Sequence, residues 1–219
     1  MTQLVEAKPA AGIGWPVTRI VSDGSTDNTV PIAADFKGLN IRIFENKENR
    51  GKGYCVNIGI SNAQNDIILF SDADLSTPIE HLDDFISLHS EGFDVVIASR
   101  ALDRKMILQK QPFLRDTMGR FFNFFVRKIT GLEIKDTQCG FKSFKKNAAK
   151  QIFSRQTIFD FGFDVEILYI AKLHEYKIKE TPAAWSDSPG TKVSPLKDSA
   201  KMFFDLIDIR QKHKKGVYS

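Results

Sequence analysis

The stretch that most limits what this chain can become is residues 67–79, IILFSDADLSTPI. Ile67, Ile68, Leu69 and Phe70 form an unbroken apolar run, the pattern of a strand covered on both faces of a parallel sheet. The run ends in Ser71-Asp72-Ala73-Asp74. In an extended chain, side chains two apart leave on the same side. Asp72 and Asp74 therefore aim at one point beyond the carboxyl end of the strand, with only the small Ala73 between them. That edge of an open α/β sheet is where ligands bind. Two carboxylates directed at one point repel each other unless a cation stands there. An all-oxygen donor set suits Mg²⁺ or Mn²⁺, with substrate phosphates completing the shell. The plainer alternative is an acidic strand-to-helix loop, and the strand before and helix signals after the pair weigh against it. Thr77 as N-cap, Pro78 at the first helical position and Glu80 closing a capping box predict a helix over 78–90.

The same alternation runs through the rest of the chain. Residues 1–16, broken by Pro9, Gly12, Gly14 and Pro16, are expected to be irregular. Residues 17–21 read as a strand that runs into SDGSTDNT at 22–29. There Gly24 permits a tight turn and Ser25, Thr26 and Asp27 are N-cap candidates. A short helix over 29–36 and a strand over 40–44 follow. Asn49-Arg50-Gly51-Lys52-Gly53 is a glycine-flanked basic turn leading into a helix that ends near 63. It is not a Walker A loop, since the spacing differs and no strand feeds it. It reads either as a simple helix-starting turn or as a backbone and Lys52 contact to a diphosphate. Residues 94–98 are a strand ending in Ser99-Arg100, 163–173 a helix opening Phe163-Asp164-Val165-Glu166, and 178–185 extended. A loop over 186–191 with Lys192 beyond it precedes a last helix that ends near 210. The fold class is α/β, a mostly parallel sheet with helices on both faces. One domain spans 17–210, between the irregular 1–16 and a basic tail, 211–219, read as solvated.

At 219 residues, 42% hydrophobic and 26% charged, the chain has the composition of a globular protein large enough for a real core. A net charge of +4 suits an anionic partner without naming it. No basic stripe carries a nucleic-acid motif, so nucleic acid is not expected as a partner. Cys55 and Cys139 are too few for a zinc site and imply no disulfide scaffold, which fits a reducing compartment. No apolar stretch reaches membrane-spanning length. The 18 phenylalanines matter because they cluster. A helix over 113–129 places Leu114, Met118, Phe121, Phe122, Phe125 and Ile129 on one face, flanked by Arg115, Arg120, Arg127 and Lys128. Such a stripe is either ordinary core or a helix lying in a membrane interface.

Together, SDGSTDNT at 22–29, NRGKG at 49–53, SDADLSTP at 71–78, Ser99-Arg100, DTQCGFK at 136–142, FDVE at 163–166 and Gly190-Thr191-Lys192 resemble the family 2 inverting glycosyltransferases of the GT-A fold. Within these the chain looks most like the dolichyl-phosphate (polyprenyl-phosphate) β-glucosyltransferases, to which DTQCGFK followed by FDVE is more specific than the earlier motifs. Two features depart from the pattern. The family's first strand and helix have no counterpart in 1–14, so the domain is expected to be truncated at its N-terminal side. Ser22 stands where the family has the first of two aspartates, and Asp23 keeps the second.

The resemblance implies an enzyme that moves glucose from UDP-glucose to a polyprenyl phosphate with inversion. It implies that Asp23, with Gly24 in the same turn, contacts the uracil or ribose and that Lys52 lies near the nucleotide. Asp72 and Asp74 would hold the Mg²⁺ or Mn²⁺ on the diphosphate. Arg100, Arg115 and Lys192 would hold the lipid phosphate, an anion that needs cations rather than a general base. Asp136, Gln138, Asp164 and Glu166 would line the sugar or order the pocket. The 113–129 helix would dock on the cytosolic leaflet, of the endoplasmic reticulum in a eukaryote or the plasma membrane in a prokaryote. Lys105, Lys110 and the basic tail would add attraction. Three rivals stay open: a mannose synthase-like transferase using GDP-mannose, an inactive truncated relative, and a nucleic-acid-binding α/β domain.

Overall fold

A computed structural model describes residues 2–8, 17–36, 40–109, 112–187 and 195–219, with the side chains of 2–8, 113–115 and 195–199 outside that description. The strands are β1 (Thr2–Lys8), β2 (Val17–Asp23), β3 (Ile41–Asn46), β4 (Ile67–Asp72), β5 (Val95–Ser99), β6 (Ile107–Gln109), β7 (Phe141–Lys145), β8 (Ile178–Pro182) and β9 (Trp185–Ser186). The helices are α1 (Thr29–Ala34), α2 (Lys52–Ser61), α3 (His81–Ser90), α4 (Phe113–Thr130), α5 (Lys146–Phe153), α6 (Phe163–Leu173) and α7 (Pro195–Lys214).

The apolar runs become the centre of a sheet ordered β3-β2-β1-β4-β7-β5-β8, while β6 and β9 form a separate parallel pair. β2 runs parallel to β3 and β5 to β8, whereas β1 and β7 oppose both their neighbours, so the other five strands of the sheet share one direction. The period of two sorts the core into two layers. Ile68, Phe70, Val95, Ile97 and Phe144 face one side, under α2, α4, α5, α6 and α7. Leu69, Val96, Ala98 and Phe141 face the other, where Phe85 of α3 meets Phe141 edge-on at 5.1 Å.

Four expectations are corrected. Residues 2–8 are not irregular: they form β1, which fills the slot between β2 and β4 in the reverse sense. The slot is lined by unpaired backbone groups on both sides, and a short segment placed there satisfies them in either direction. The helix after the acidic turn begins at His81, not Pro78, and its N-cap, Glu80, makes no capping bond. Thr77 is buried with its hydroxyl 3.7 Å from Cys139 Sγ, so it does not cap, and Pro78 and Ile79 form a turn that accepts from His81 and Leu82. The stripe on α4 splits. Phe122 and Val126 enter the core, while Phe121 and Phe124 face outward. The tail is not solvated throughout: α7 continues to Lys214 and Tyr218 is buried.

Candidate active site

The site forms along the carboxyl ends of β2, β4 and β5. β2 delivers Asp23, which is buried and accepts from Asn46 Nδ2 at 3.0 Å, Arg50 N at 2.8 Å and Gly51 N at 2.9 Å. Its carboxylate therefore ties the 49–53 turn to the sheet. Oδ1 takes the Asn46 and Arg50 donors and Oδ2 the Gly51 amide, so the side chain that the resemblance assigns to the uracil or ribose also has this holding role. Gly24 follows, donating to Asn46 O at 3.1 Å, and Ser22 Oγ donates to Ser25 Oγ at 2.8 Å. The turn needs its glycine at 51: φ is +99°, and a Cβ there would lie 2.4 Å from Phe159 O.

That turn brings Lys52 to β4. Its Nζ donates to Asp72 Oδ2 at 2.9 Å and lies 2.7 Å from Oδ1, which is left without a hydrogen bond. Burial alone would push the Lys52 ammonium down, but Asp72, then Asp164 and Asp74, outweigh it and hold its pKa above the ordinary value. Asp72 is 28% exposed and Asp74 is exposed, with its Oδ1 accepting from Ser76 N at 3.0 Å. Gly140 closes the floor. Its carbonyl accepts from Asp72 N at 2.8 Å, and a Cβ there would sit 2.0 Å from Asp72 Oδ2. This explains the glycine of DTQCGFK. Among the described residues no three His, Cys, Asp or Glu side chains gather as a metal cage. Two carboxylates, one with an oxygen that accepts no hydrogen bond, fit a divalent ion that takes its remaining ligands from a diphosphate and water.

Beside β4, on β7, Lys142 is fully buried and was missed as a site residue. Its Nζ donates to Asp164 Oδ1 at 2.5 Å and to Cys139 O at 2.7 Å, and lies 5.1 Å from the Phe70 ring centroid. The signal existed: Lys142 alternates with the core residue Phe144, and a lysine at a core position requires a buried acid. Asp164 is that acid, so it orders the floor and does not line a sugar pocket. Glu166, fully buried, accepts from Thr157 N at 2.9 Å, Ile158 N at 2.8 Å and Tyr218 Oη at 2.8 Å. It too is bonded within the fold, with donors on both oxygens.

The second half of the site is a cavity of about 480 Å³ lined by Arg100, Arg104, Arg120, Lys135, Gln138 and Trp185 among others. Arg100 grips Asp136 with Nε on Oδ2 at 2.7 Å and Nη2 on Oδ1 at 2.8 Å, and its guanidinium lies 5.3 Å from the Trp185 ring centroid. Burial works against both charges, yet Asp136 holds the Arg100 pKa up and Arg100 holds the Asp136 pKa down. Glu180 of β8 accepts from Lys135 N at 3.0 Å and Asp136 N at 2.8 Å, fixing this loop to the sheet. Arg104 pairs with Asp116 at 2.9 Å, whereas Arg120 and Lys135 have no ion-pair partner among the described residues. Arg104, Arg120, Lys135 and Trp185 were missed because loop and helix residues far apart in sequence supply them. Asp72 adds a smaller upward pull on the Arg100 pKa. The Arg115 side chain, Lys110 and Lys192 lie outside the described residues.

This sheet, with an acidic pair at a strand end and a basic turn opposite, is the GT-A arrangement, and the profile described as glycosyl transferase family 2 matches residues 19–153. The chain belongs to that family. Among curated proteins it is similar to the dolichyl-phosphate β-glucosyltransferases: 33% identical over 208 residues to that of Dictyostelium discoideum, covering 91% of this chain and 64% of the relative. It is 32% identical to the Homo sapiens protein, covering 91% and 64%, and 35% identical to that of Saccharomyces cerevisiae, covering 96% and 69%. The chain thus spans less than two thirds of the length of the first two relatives and 69% of the third. In fold it resembles glucosyl-3-phosphoglycerate synthase from Mycobacterium tuberculosis, solved with Mn²⁺, UDP and glucosyl-3-phosphoglycerate, with a TM-score of 0.61 at 16% identity, covering 88% of this chain and 68% of that one.

Proposed function

We propose that the chain transfers glucose from UDP-glucose to the phosphate of a polyprenyl, or dolichyl, phosphate with inversion. One observation carries this reading: the Lys52–Asp72 pair stands at the strand ends, and a separate cavity beside Arg100 is lined by two cations, Arg120 and Lys135, that have no ion-pair partner among the described residues. A diphosphate suits the first half and a phosphomonoester the second. The names of the similar proteins agree with both.

Asp72 and Asp74 would hold the divalent ion, Mg²⁺ or Mn²⁺, which when bound neutralises charge gathering on a departing diphosphate. Lys52 adds a positive charge beside the same phosphates, and Asp23 keeps the turn that carries it in place. The acceptor phosphate is already anionic, so an oxygen of it attacks the anomeric carbon without a general base. The bond from that carbon to the diphosphate oxygen breaks, its electron pair leaves with UDP, and the glucose becomes β-linked to the lipid phosphate. Arg120 and Lys135 hold the acceptor, with Arg115 and Lys192 as further phosphate contacts taken from the resemblance. Arg100, aligned by Asp136, presents its remaining donor edge to the same space, and Gln138 faces the sugar.

The lipid tail enters from a membrane. No described helix is long and apolar enough to cross one. Phe121 and Phe204 are 66% and 68% exposed, and with Phe124 and Ile207 they extend one aromatic face across α4 and α7, bridged by Phe125 and Phe203 at 5.4 Å. Arg120, Arg127 and Lys128 border it. We place this face on the anionic cytosolic leaflet. The test is label transfer from UDP-glucose, with Mn²⁺, to polyprenyl phosphate in anionic vesicles. Organic-extractable label is expected. Phe121→Asp with Phe204→Asp should lower transfer to vesicles about tenfold yet spare a short, water-soluble polyprenyl phosphate. Absence of transfer to either acceptor by folded protein, or turnover of GDP-mannose instead, overturns the reading.

A further inference from the structure

Tyr218 lies far from the cleft in sequence and outside every motif, yet it is buried and bonded into α6. Its Oη donates to Glu166 Oε1 at 2.8 Å, and its carbonyl lies 2.8 Å from His174 Nε2. Glu166 also accepts from the Thr157 hydroxyl at 2.5 Å, and Lys212 of α7 donates to that hydroxyl at 2.7 Å. With the Thr157 and Ile158 amides, this makes residues 156–160 a loop fixed from beneath by one carboxylate. From above, the same loop carries the 49–53 turn. Phe159 O accepts from Gly53 N at 2.7 Å and Tyr54 N at 3.3 Å. Gln156 Nε2 donates to Gly53 O at 3.0 Å and Ile158 O at 2.9 Å, and Asn57 Nδ2 donates to Gln156 Oε1 at 3.0 Å.

We infer that Tyr218 and Glu166 are positioning residues for the donor half of the site: through the 156–160 loop they set the height of the turn that holds Lys52 against Asp72. The inference rests on the donor reading above. Buried networks of this kind are rigid when every member is satisfied, and Glu166 has donors on both oxygens. Removing one donor loosens the loop without opening a large cavity. The effect should reach the nucleotide and leave the acceptor cavity, which α4 and the 135–138 loop build, unchanged.

The experiment is Tyr218→Phe in the full chain, read by amide hydrogen exchange and by calorimetric titration with UDP and Mn²⁺. Exchange at Gly53 and Tyr54 should quicken and UDP affinity fall by about 3–10-fold, the size of one net hydrogen bond. The KM for polyprenyl phosphate should stay unchanged. Lys212→Met, a half-buried change at the same Thr157 hydroxyl, should give the same pattern at smaller size and serves if Tyr218→Phe fails to fold. Unchanged UDP affinity and unchanged exchange at Gly53 and Tyr54, with only a lower melting temperature, overturn the inference. If the wild-type protein binds no UDP, the donor reading fails by itself, and exchange at those two amides still decides whether Tyr218 sets the turn.

Discussion

Two lysine–aspartate pairs, each with one member on the neighbouring strands β4 and β7 and the other on a helix, differ in one respect. Lys142–Asp164 is closed, with side chains 0% and 3% exposed, while Lys52–Asp72 has a buried lysine but an acid 28% exposed. Both ammonium groups sit near the same aromatic step, Lys142 at 5.1 Å from Phe70 and Lys52 at 6.0 Å from Phe163, rings that themselves lie 6.0 Å apart. The closed pair has its charges matched and a carbonyl taking another ammonium proton. The open pair has a carboxylate oxygen that accepts no hydrogen bond and meets only the Lys52 ammonium. A matched buried pair serves the fold, since separating it leaves an uncompensated charge. An open one can exchange a protein cation for the charges of a ligand.

The largest expected effect breaks the closed pair. Asp164→Ala strands the Lys142 ammonium in the core and should cost about 3–5 kcal/mol in urea unfolding. Asp72→Ala should cost only about 1–2 kcal/mol, because solvent reaches the site. Equal losses in the two variants would erase the distinction. The next effect is on turnover: Asp72→Ala should lower the rate of glucose transfer about 10²–10³-fold, as for loss of a main electrostatic group. A folded Asp72→Ala protein that keeps wild-type turnover would sink the open pair's role.

The smallest effect sharpens the contrast with a group buried without a counter-ion. His89 lies 2.7 Å from Ser143 Oγ and 2.9 Å from the Phe93 carbonyl oxygen. Burial pushes its pKa below the ordinary 6.5, the Phe93 carbonyl and Asp94 pull it back, and Lys145 adds to the fall. The folded chain stays neutral at His89 where the unfolded chain takes a proton. Stability is therefore full above pH 6.5 and declines as the pH falls below it, by at most about 1.4 kcal/mol per pH unit. His89→Gln should remove that part of the slope, and a wild-type slope equal to the variant's between pH 7.5 and 5.5 would refute it.

What the sequence disclosed follows the same division. β4 and its acids were legible because a buried strand and a period of two are local properties, and so was the 49–53 turn; the Arg100–Asp136 bond, between residues 36 apart, was not. β1 was not. Thr2 to Lys8 has no strong pattern, and its pairing depends on two strands that lie later in the chain. The Thr77 cap failed because the hydroxyl is buried against a thiol, that of Cys139, 62 residues onward. Glu166 could not be sorted from a pocket residue, since its partners Thr157, Ile158 and Tyr218 carry no local signal. Lys142 could have been found by asking what a core-facing lysine requires.

The reversed sense of β1 sets which of its ends lies beside the acidic cleft. Gln3 stands opposite Asp72 and Thr2 opposite Ser22, so anything joined ahead of Thr2 emerges at the rim of the acidic cleft. A strand of the usual polarity would place that junction at the far edge of the sheet. An affinity tag or fluorescent fusion at this end would crowd the nucleotide's doorway, so labels belong elsewhere on the protein.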